Sequence, residues 1–218
     1  MMFANRVEAG RRLGEALEQL AWPAVVVLGV PRGGVVVGRE VAMLLDAPLD
    51  IVVPRKVRAP HNPELGLGAV APGVTFLDED LIGALGVSEA YLQQETAIQQ
   101  EEVERRSQAY RQGRPAVELA GCSAVVVDDG IATGGTAVAA LRWARAREAA
   151  RVALAVPVMP AAARFRMEAN ADEVVALLEP EAFYAVGQWY LDFDQVSDDE
   201  VVRTMAEEAS RHPRSDGA

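Results

Sequence analysis

Histidine, cysteine, positive charge and long apolar runs are all scarce in this chain, and each shortage removes a class of protein. The 218 residues include one cysteine, Cys122, so no disulfide can form within the chain and a disulfide scaffold is excluded. The only histidines are His61 and His212, which rules out a multi-histidine metal centre. No apolar run reaches the ~18–20 residues of a membrane span, so no membrane partner is expected. Met1 to Gly14 carries charges where a signal peptide would be apolar, and the expected location is cytoplasmic. Lys and Arg number 21 against 32 Asp and Glu, a formal net charge of −11. That balance argues against a general nucleic-acid partner, which needs a broad basic face to release counterions from phosphates. It leaves room for one small basic pocket.

What is present reads as a globular domain, half hydrophobic and a quarter charged. Asn5-x-x-Glu8 has the form of a capping box, and Leu13, Leu17 and Leu20 then share a helical face. Short apolar runs at Ala24–Val30, Leu49–Val53, Ala124–Val127, Val152–Val156 and Val174–Leu177 suit strands buried on both faces. Val74–Leu77 reads as a further strand, while His61 to Gly73 is too rich in Gly and Pro for either period. Helical stretches follow at Val35–Leu45, after Gly135 and after Pro160. Ser88–Arg111 predicts a long polar helix with one packed edge, and Ser197-x-x-Glu200 caps a last helix. This alternation implies an α/β fold with a mostly parallel open sheet flanked by helices, and ligands at the C-terminal ends of its strands.

The most informative stretch is Val125-Val126-Val127-Asp128-Asp129-Gly130-Ile131-Ala132-Thr133-Gly134-Gly135-Thr136, leading into a helix. Two carboxylates emerge where a buried strand ends. A loop follows whose glycines allow close backbone approach, and it opens a helix whose free amides and dipole favour an anion. Thr133 and Thr136 add hydroxyl donors. Such a loop suits a phosphate monoester, and the carboxylates suit sugar hydroxyls or a hard divalent cation. It is neither a Walker A loop nor a dinucleotide fingerprint, since Gly-Lys-Ser/Thr and Gly-x-Gly-x-x-Gly are both missing.

This stretch resembles the phosphoribosyl pyrophosphate (PRPP) motif of the type I phosphoribosyltransferases. The resemblance implies that Asp128 and Asp129 hold the ribose hydroxyls. It gives the 5′-phosphate to Ala132, Thr133, Gly134, Gly135 and Thr136. It also implies a pyrophosphate loop after the first core strand, where Pro31-Arg32-Gly33-Gly34 stands, with Arg32 able to fork onto two phosphate oxygens. A mobile catalytic loop is expected at 55–73. Arg55 and Lys56 there are candidates for the pyrophosphate and His61 for a loop acid, as in orotate phosphoribosyltransferases. Ala59 stands where that family has a lysine.

The segment Ala182–Phe193 resembles the hood of hypoxanthine-guanine phosphoribosyltransferases. Phe183, Tyr184 or Trp189 would stack on a base, with core packing the equally weighted alternative, and Asp192 would approach the metal. The implied cofactor is Mg²⁺, held mostly by PRPP and reached through water by Asp128, Asp129 and Asp192. Ala132 replaces an aspartate of the purine enzymes, and Ala155–Pro160 carries no lysine to read a purine oxo group, so the acceptor stays open.

The expected activity is transfer of a phosphoribosyl group to a small nitrogen acceptor with release of pyrophosphate. A catalytically silent PRPP-sensing regulator is the alternative. A homodimer is expected by family analogy. The domain reading is one phosphoribosyltransferase domain over 1–210, with a core at about 21–178, a hood at about 179–196 and a terminal helix, and a disordered tail at 211–218.

Overall fold

The computed structural model describes residues 2–212, apart from the side chain of Glu64. Its elements in chain order are α1 (Arg6–Glu18), β1 (Val25–Gly29), α2 (Gly33–Leu44), β2 (Leu49–Ile51), β3 (Arg55–Ala59), β4 (Asn62–Ala71), β5 (Val74–Leu77), α3 (Glu79–Leu85), α4 (Glu89–Arg111), β6 (Ser123–Val127), α5 (Gly135–Ala146), β7 (Arg151–Val158), α6 (Arg164–Glu168), β8 (Glu173–Leu178) and α7 (Asp198–Arg211). Single 3₁₀ turns lie at Ala161–Ala163 and Val186–Trp189.

Five strands form one fully parallel sheet in the order β2-β1-β6-β7-β8. The apolar runs are continuous because both faces are covered. Val26, Leu28, Val126, Leu154 and Val156 face a core closed by α5, Met167 of α6 and part of β4. Val27, Val125, Val127, Ala153 and Ala155 face the opposite core, closed by α1, α2 and α7. Asn5 and Ser197 cap α1 and α7 as expected, accepting from the amides of Glu8 and Glu200. Helix α4 buries Gln99, Val103, Ser107 and Tyr110, rests Tyr91 and Leu92 against the core beneath the hairpin, and leaves Ile98 on its exposed, mostly polar side.

The stretch from His61 to Gly73, read from sequence as irregular, is mostly strand, as is the first part of the expected mobile loop 55–73. β3 and β4 pair antiparallel across a tight turn, and β5 completes a separate three-stranded sheet against α3 and α4. β4 turns Leu65, Leu67 and Val70 to the core beneath the hairpin and Ala69 and Ala71 to the core of the parallel sheet, changing face between Leu67 and Ala69, and Gly66 and Gly68 mask its strand signal.

The N-terminal segment is also more than a leader to the core. Leu13 and Leu17 are buried in it, and Phe3 and Ala4 pair with the hood through Phe3 N–Trp189 O (2.8 Å), Leu191 N–Phe3 O (2.8 Å) and Asp192 N–Ala4 O (3.0 Å). Phe3, Ala9 and Tyr190 make a small core there with Val186, Trp189 and Phe193 against it. At the other end Arg211 is the last residue of α7 rather than the first of a tail. The tail expected beyond His212 lies outside the described residues.

Candidate functional site

β1 and β6 are neighbours in register, with Gly29 opposite Val127, yet their onward connections run to opposite sides of the sheet. This is the topological switch point, where loops diverge and leave a crevice at the carboxyl ends of the strands. The crevice receives Pro31-Arg32-Gly33-Gly34 from β1 and Asp128-Asp129 from β6. The amide of Val30 donates to the carbonyl of Val127 (2.8 Å) and locks the two loop bases together. The Pro31–Arg32 peptide is cis.

The glycines serve this junction directly. A Cβ at Gly33 would overlap the Asp129 carboxylate, and one at Gly34 would lie 2.6 Å from the Val127 carbonyl and 2.8 Å from the Asp128 Cα. The loop glycines therefore make room for the acidic pair itself, as well as for any ligand.

Both carboxylates are engaged by the protein, and they also interact with each other. Asp128 Oδ1 accepts from the Asp129 amide at 2.8 Å, and Asp129 Oδ2 accepts from Arg6 Nε at 2.7 Å. Burial, and then the adjacent Asp129 carboxylate, push the Asp128 carboxyl well above the usual carboxylate range. Tyr190 donates to the Asp129 carbonyl at 2.6 Å, and burial followed by the Asp129 charge pushes its hydroxyl up. Arg6 also donates through Nη1 to Asp194 O (2.8 Å) and lies 3.8 Å over the Phe193 ring.

The phosphate loop runs from Ile131, whose amide donates to Val158 O (3.0 Å), into α5. Gly134 is the N-cap, at φ 80°, a left-handed conformation that suits glycine, and no side chain caps the helix. The first-turn amides thus face outward without a side-chain partner, beside exposed Ala132 and Thr133.

A cleft of about 490 Å³ joins these parts, lined by Arg6, Arg32, Gly33, Asp128, Asp129 and Thr136, with Val186, Phe193 and Gln195 on the hood side. A roomier hollow of about 900 Å³ lies beside Val103, Trp143, Arg114 and Arg147. It contains neither the acidic pair nor the phosphate loop, so the chemistry points to the smaller cleft.

Several expected residues stand elsewhere. Arg55 lies on the inner side of β3, where Nε donates to Gln99 Oε1 on α4 (3.0 Å), and burial pulls its guanidinium down. Lys56, the only lysine of the chain, runs along Gly66 of β4. His61 is exposed at the hairpin tip with φ 63°. None of the three lines the cleft, although Pro54 does. Ala59 is buried, because strand alternation points it with Val57 into the core beneath the hairpin.

In the hood, Phe183 and Trp189 stack on each other (6.5 Å between centroids, 20° between planes), and Tyr184 is 89% exposed. Val186 and Phe193 face the cleft in their place. Asp192 accepts from the Asp194 amide (3.1 Å) and lines an adjoining hollow rather than the cleft of the acidic pair. Sequence reading missed Arg6, Tyr190 and Phe193. Arg6 sits 123 residues from Asp129, and no local pattern marks it.

The phosphoribosyl transferase domain family matches residues 7–194. Two Mycobacterium tuberculosis proteins, one named "Putative phosphoribosyl transferase Rv0571c", are 48% identical over 202 residues. That alignment covers 92% of this chain and 46% of theirs, so the chain spans about half the length of these curated relatives. The crystal structure of TT1426 from Thermus thermophilus is 45% identical and superposes with a TM-score of 0.83, covering 95% of this chain and 99% of that one.

Proposed function

The chain belongs to the phosphoribosyl transferase family, and from that premise we propose that its cleft binds Mg·PRPP and transfers the phosphoribosyl group to a nitrogen acceptor. The observation that carries this reading is the meeting of the acidic pair, the glycine-spaced Arg32 loop and the uncapped α5 N-terminus in one cleft. The 5′-phosphate would sit on the amides of Gly135 and Thr136 with the hydroxyls of Thr133 and Thr136 around it. The remaining oxygens of Asp128 and Asp129 would take the ribose hydroxyls, and Arg32 with the amides of Gly33 and Gly34 would hold the pyrophosphate.

The donor set accommodates Mg²⁺ only as a passenger on the ligand. Among the described residues no group of three or more His, Cys, Asp or Glu could hold a metal, and Arg6 occupies one oxygen of Asp129. Pyrophosphate oxygens would supply most ligands, with Asp128 and Asp129 acting through water, and the ion would offset charge on the leaving group. Asp192 would need to leave its hollow to take part.

In the transfer, the C1′–oxygen bond to pyrophosphate breaks, a nitrogen–C1′ bond forms and the acceptor's proton passes to solvent. Arg32 stabilises the departing charge, and Val186 and Phe193 offer the acceptor an apolar wall. Arg55, Lys56 and His61 join only when the β3–β4 hairpin swings over the cleft, which would also exclude water. The free thiol of Cys122 suits a reducing, cytoplasmic setting for this reaction. Among the described residues no helix is long and apolar enough to cross a membrane.

The test is Mg²⁺-dependent pyrophosphate release from PRPP across a panel of purine and pyrimidine bases. Release with one base identifies the acceptor. No release with any base, alongside tight PRPP binding, turns the reading to a sensor, and the blank position at Ala132 is what favours that second reading.

A further inference from the structure

The cleft contains one strongly held cation that the phosphate-binding elements do not supply. Arg6 comes from the first turn of α1, outside both loops, and its side chain is only 11% exposed. It makes three contacts at once: Nε to Asp129 Oδ2, Nη1 to the Asp194 carbonyl, and the guanidinium face on Phe193. A planar fork fixed on three sides has little rotational freedom, and it fixes its partner in turn.

We propose that Arg6 is a positioning residue for the ribose site. It holds Oδ2 of Asp129 so that Oδ1 is presented to a sugar hydroxyl, and it ties the hood to the same carboxylate. This rests on the PRPP reading above. Tyr190 supports the arrangement from the other side by holding the Asp129 carbonyl, and the Phe3–Tyr190 pairing sets α1 and the hood as one support. The backbone of Asp129 is fixed by Tyr190 and its side chain by Arg6, so neither torsion is left to the ligand. Gly33 leaves just enough space for the carboxylate to adopt this rotamer. Arg6 thus acts on sugar recognition through Asp129, with no contact to the reacting bond required of it.

The experiment is a double-mutant cycle on PRPP affinity, read by calorimetry in Mg²⁺ with Arg6→Met, Asp129→Asn and the double variant, and a thermal melt of each. Methionine keeps an apolar stem on Phe193 and removes the fork. The expected result is a Kd for PRPP raised roughly 10- to 100-fold in Arg6→Met, with little further loss when Arg6→Met is added to Asp129→Asn. In steady state the KM for PRPP rises and that for the acceptor does not. Arg6→Lys, which keeps charge but cannot make both polar contacts, falls between, and it carries the comparison should Arg6→Met fail to melt cooperatively. Unchanged affinity in a folded variant overturns the proposal, as does an additive cycle, which would mean that Arg6 works independently of Asp129. Wild-type protein that binds no PRPP overturns the functional reading itself, a result separate from either.

Discussion

Gly33→Ala isolates the contact between the two loops. Gly33 does not have a positive φ, so alanine meets no backbone penalty there, and at the first residue of α2 it is the better helix former. The cost is steric and local: the new methyl group would occupy the position of Asp129 Oδ2 and lie 2.7 Å from Arg6 Nε. The carboxylate must rotate away, which breaks its 2.7 Å bond to Arg6. A hydrogen bond between charged groups contributes about 1.5–3 kcal/mol. Both side chains are mostly shielded, with 11% and 16% exposure, so solvent screening removes little of this. If that preorganisation is what positions the ribose carboxylate, PRPP affinity falls roughly 10- to 150-fold. Calorimetric titration of Mg·PRPP, paired with a thermal melt, reads both effects. A folded Gly33→Ala protein with wild-type PRPP affinity would refute the claim that the Asp129 rotamer matters.

Gly134→Ala forces a left-handed N-cap residue to carry a side chain, at a cost of about 1–2 kcal/mol, and the melting temperature should fall by about 2–8 °C; an unchanged melt would show that the loop has another conformation. Burial, aided by its bond to Asp198, pushes the Tyr110 hydroxyl up to about 12. The folded protein therefore holds that proton more tightly than the unfolded chain, and the stabilisation is full below pH ~10 and lost as pH rises through 12, about 2–3 kcal/mol in all. Urea denaturation at pH 9 and 11.5 should show a smaller loss in Tyr110→Phe than in wild type, the remainder coming from Tyr190 and Tyr91, whose hydroxyls burial also pushes up, and equal losses would contradict the assignment. Lys56 is the only lysine side chain, so acylation is a clean reporter of the hairpin. Mg·PRPP should slow its labelling if β3–β4 closes over the cleft, and full reactivity in the complex would remove Lys56 from the site.

The parallel sheet was legible because burial on both faces leaves uninterrupted apolar runs, and all five of its strands fall on runs visible in the sequence. The phosphate loop was legible because Asp-Asp followed by Thr-Gly-Gly-Thr concentrates its chemistry in consecutive residues. The hairpin was not, since Gly66 and Gly68 interrupt β4 where its apolar residues change face, and imitate a loop. The strand order was equally hidden, and with it the reason why the Arg32 loop and the acidic pair meet. Arg6 and Tyr190 reach Asp129 only through tertiary packing, so no spacing could announce them. For the hood aromatics the pattern left base stacking and core packing open, because it gives aromatic residues but not which faces are covered; Phe183 and Trp189 stack on each other.

Asp128 and Asp129, set at the switch point, are the proposed contacts for the ribose of a phosphoribosyl pyrophosphate. Calorimetric titration of Mg·PRPP into wild type and into the Asp128→Asn/Asp129→Asn double variant tests this assignment most directly. Saturable binding by the wild type is expected, and no detectable binding by a double variant that still melts cooperatively. Equal affinity in the two proteins would contradict it.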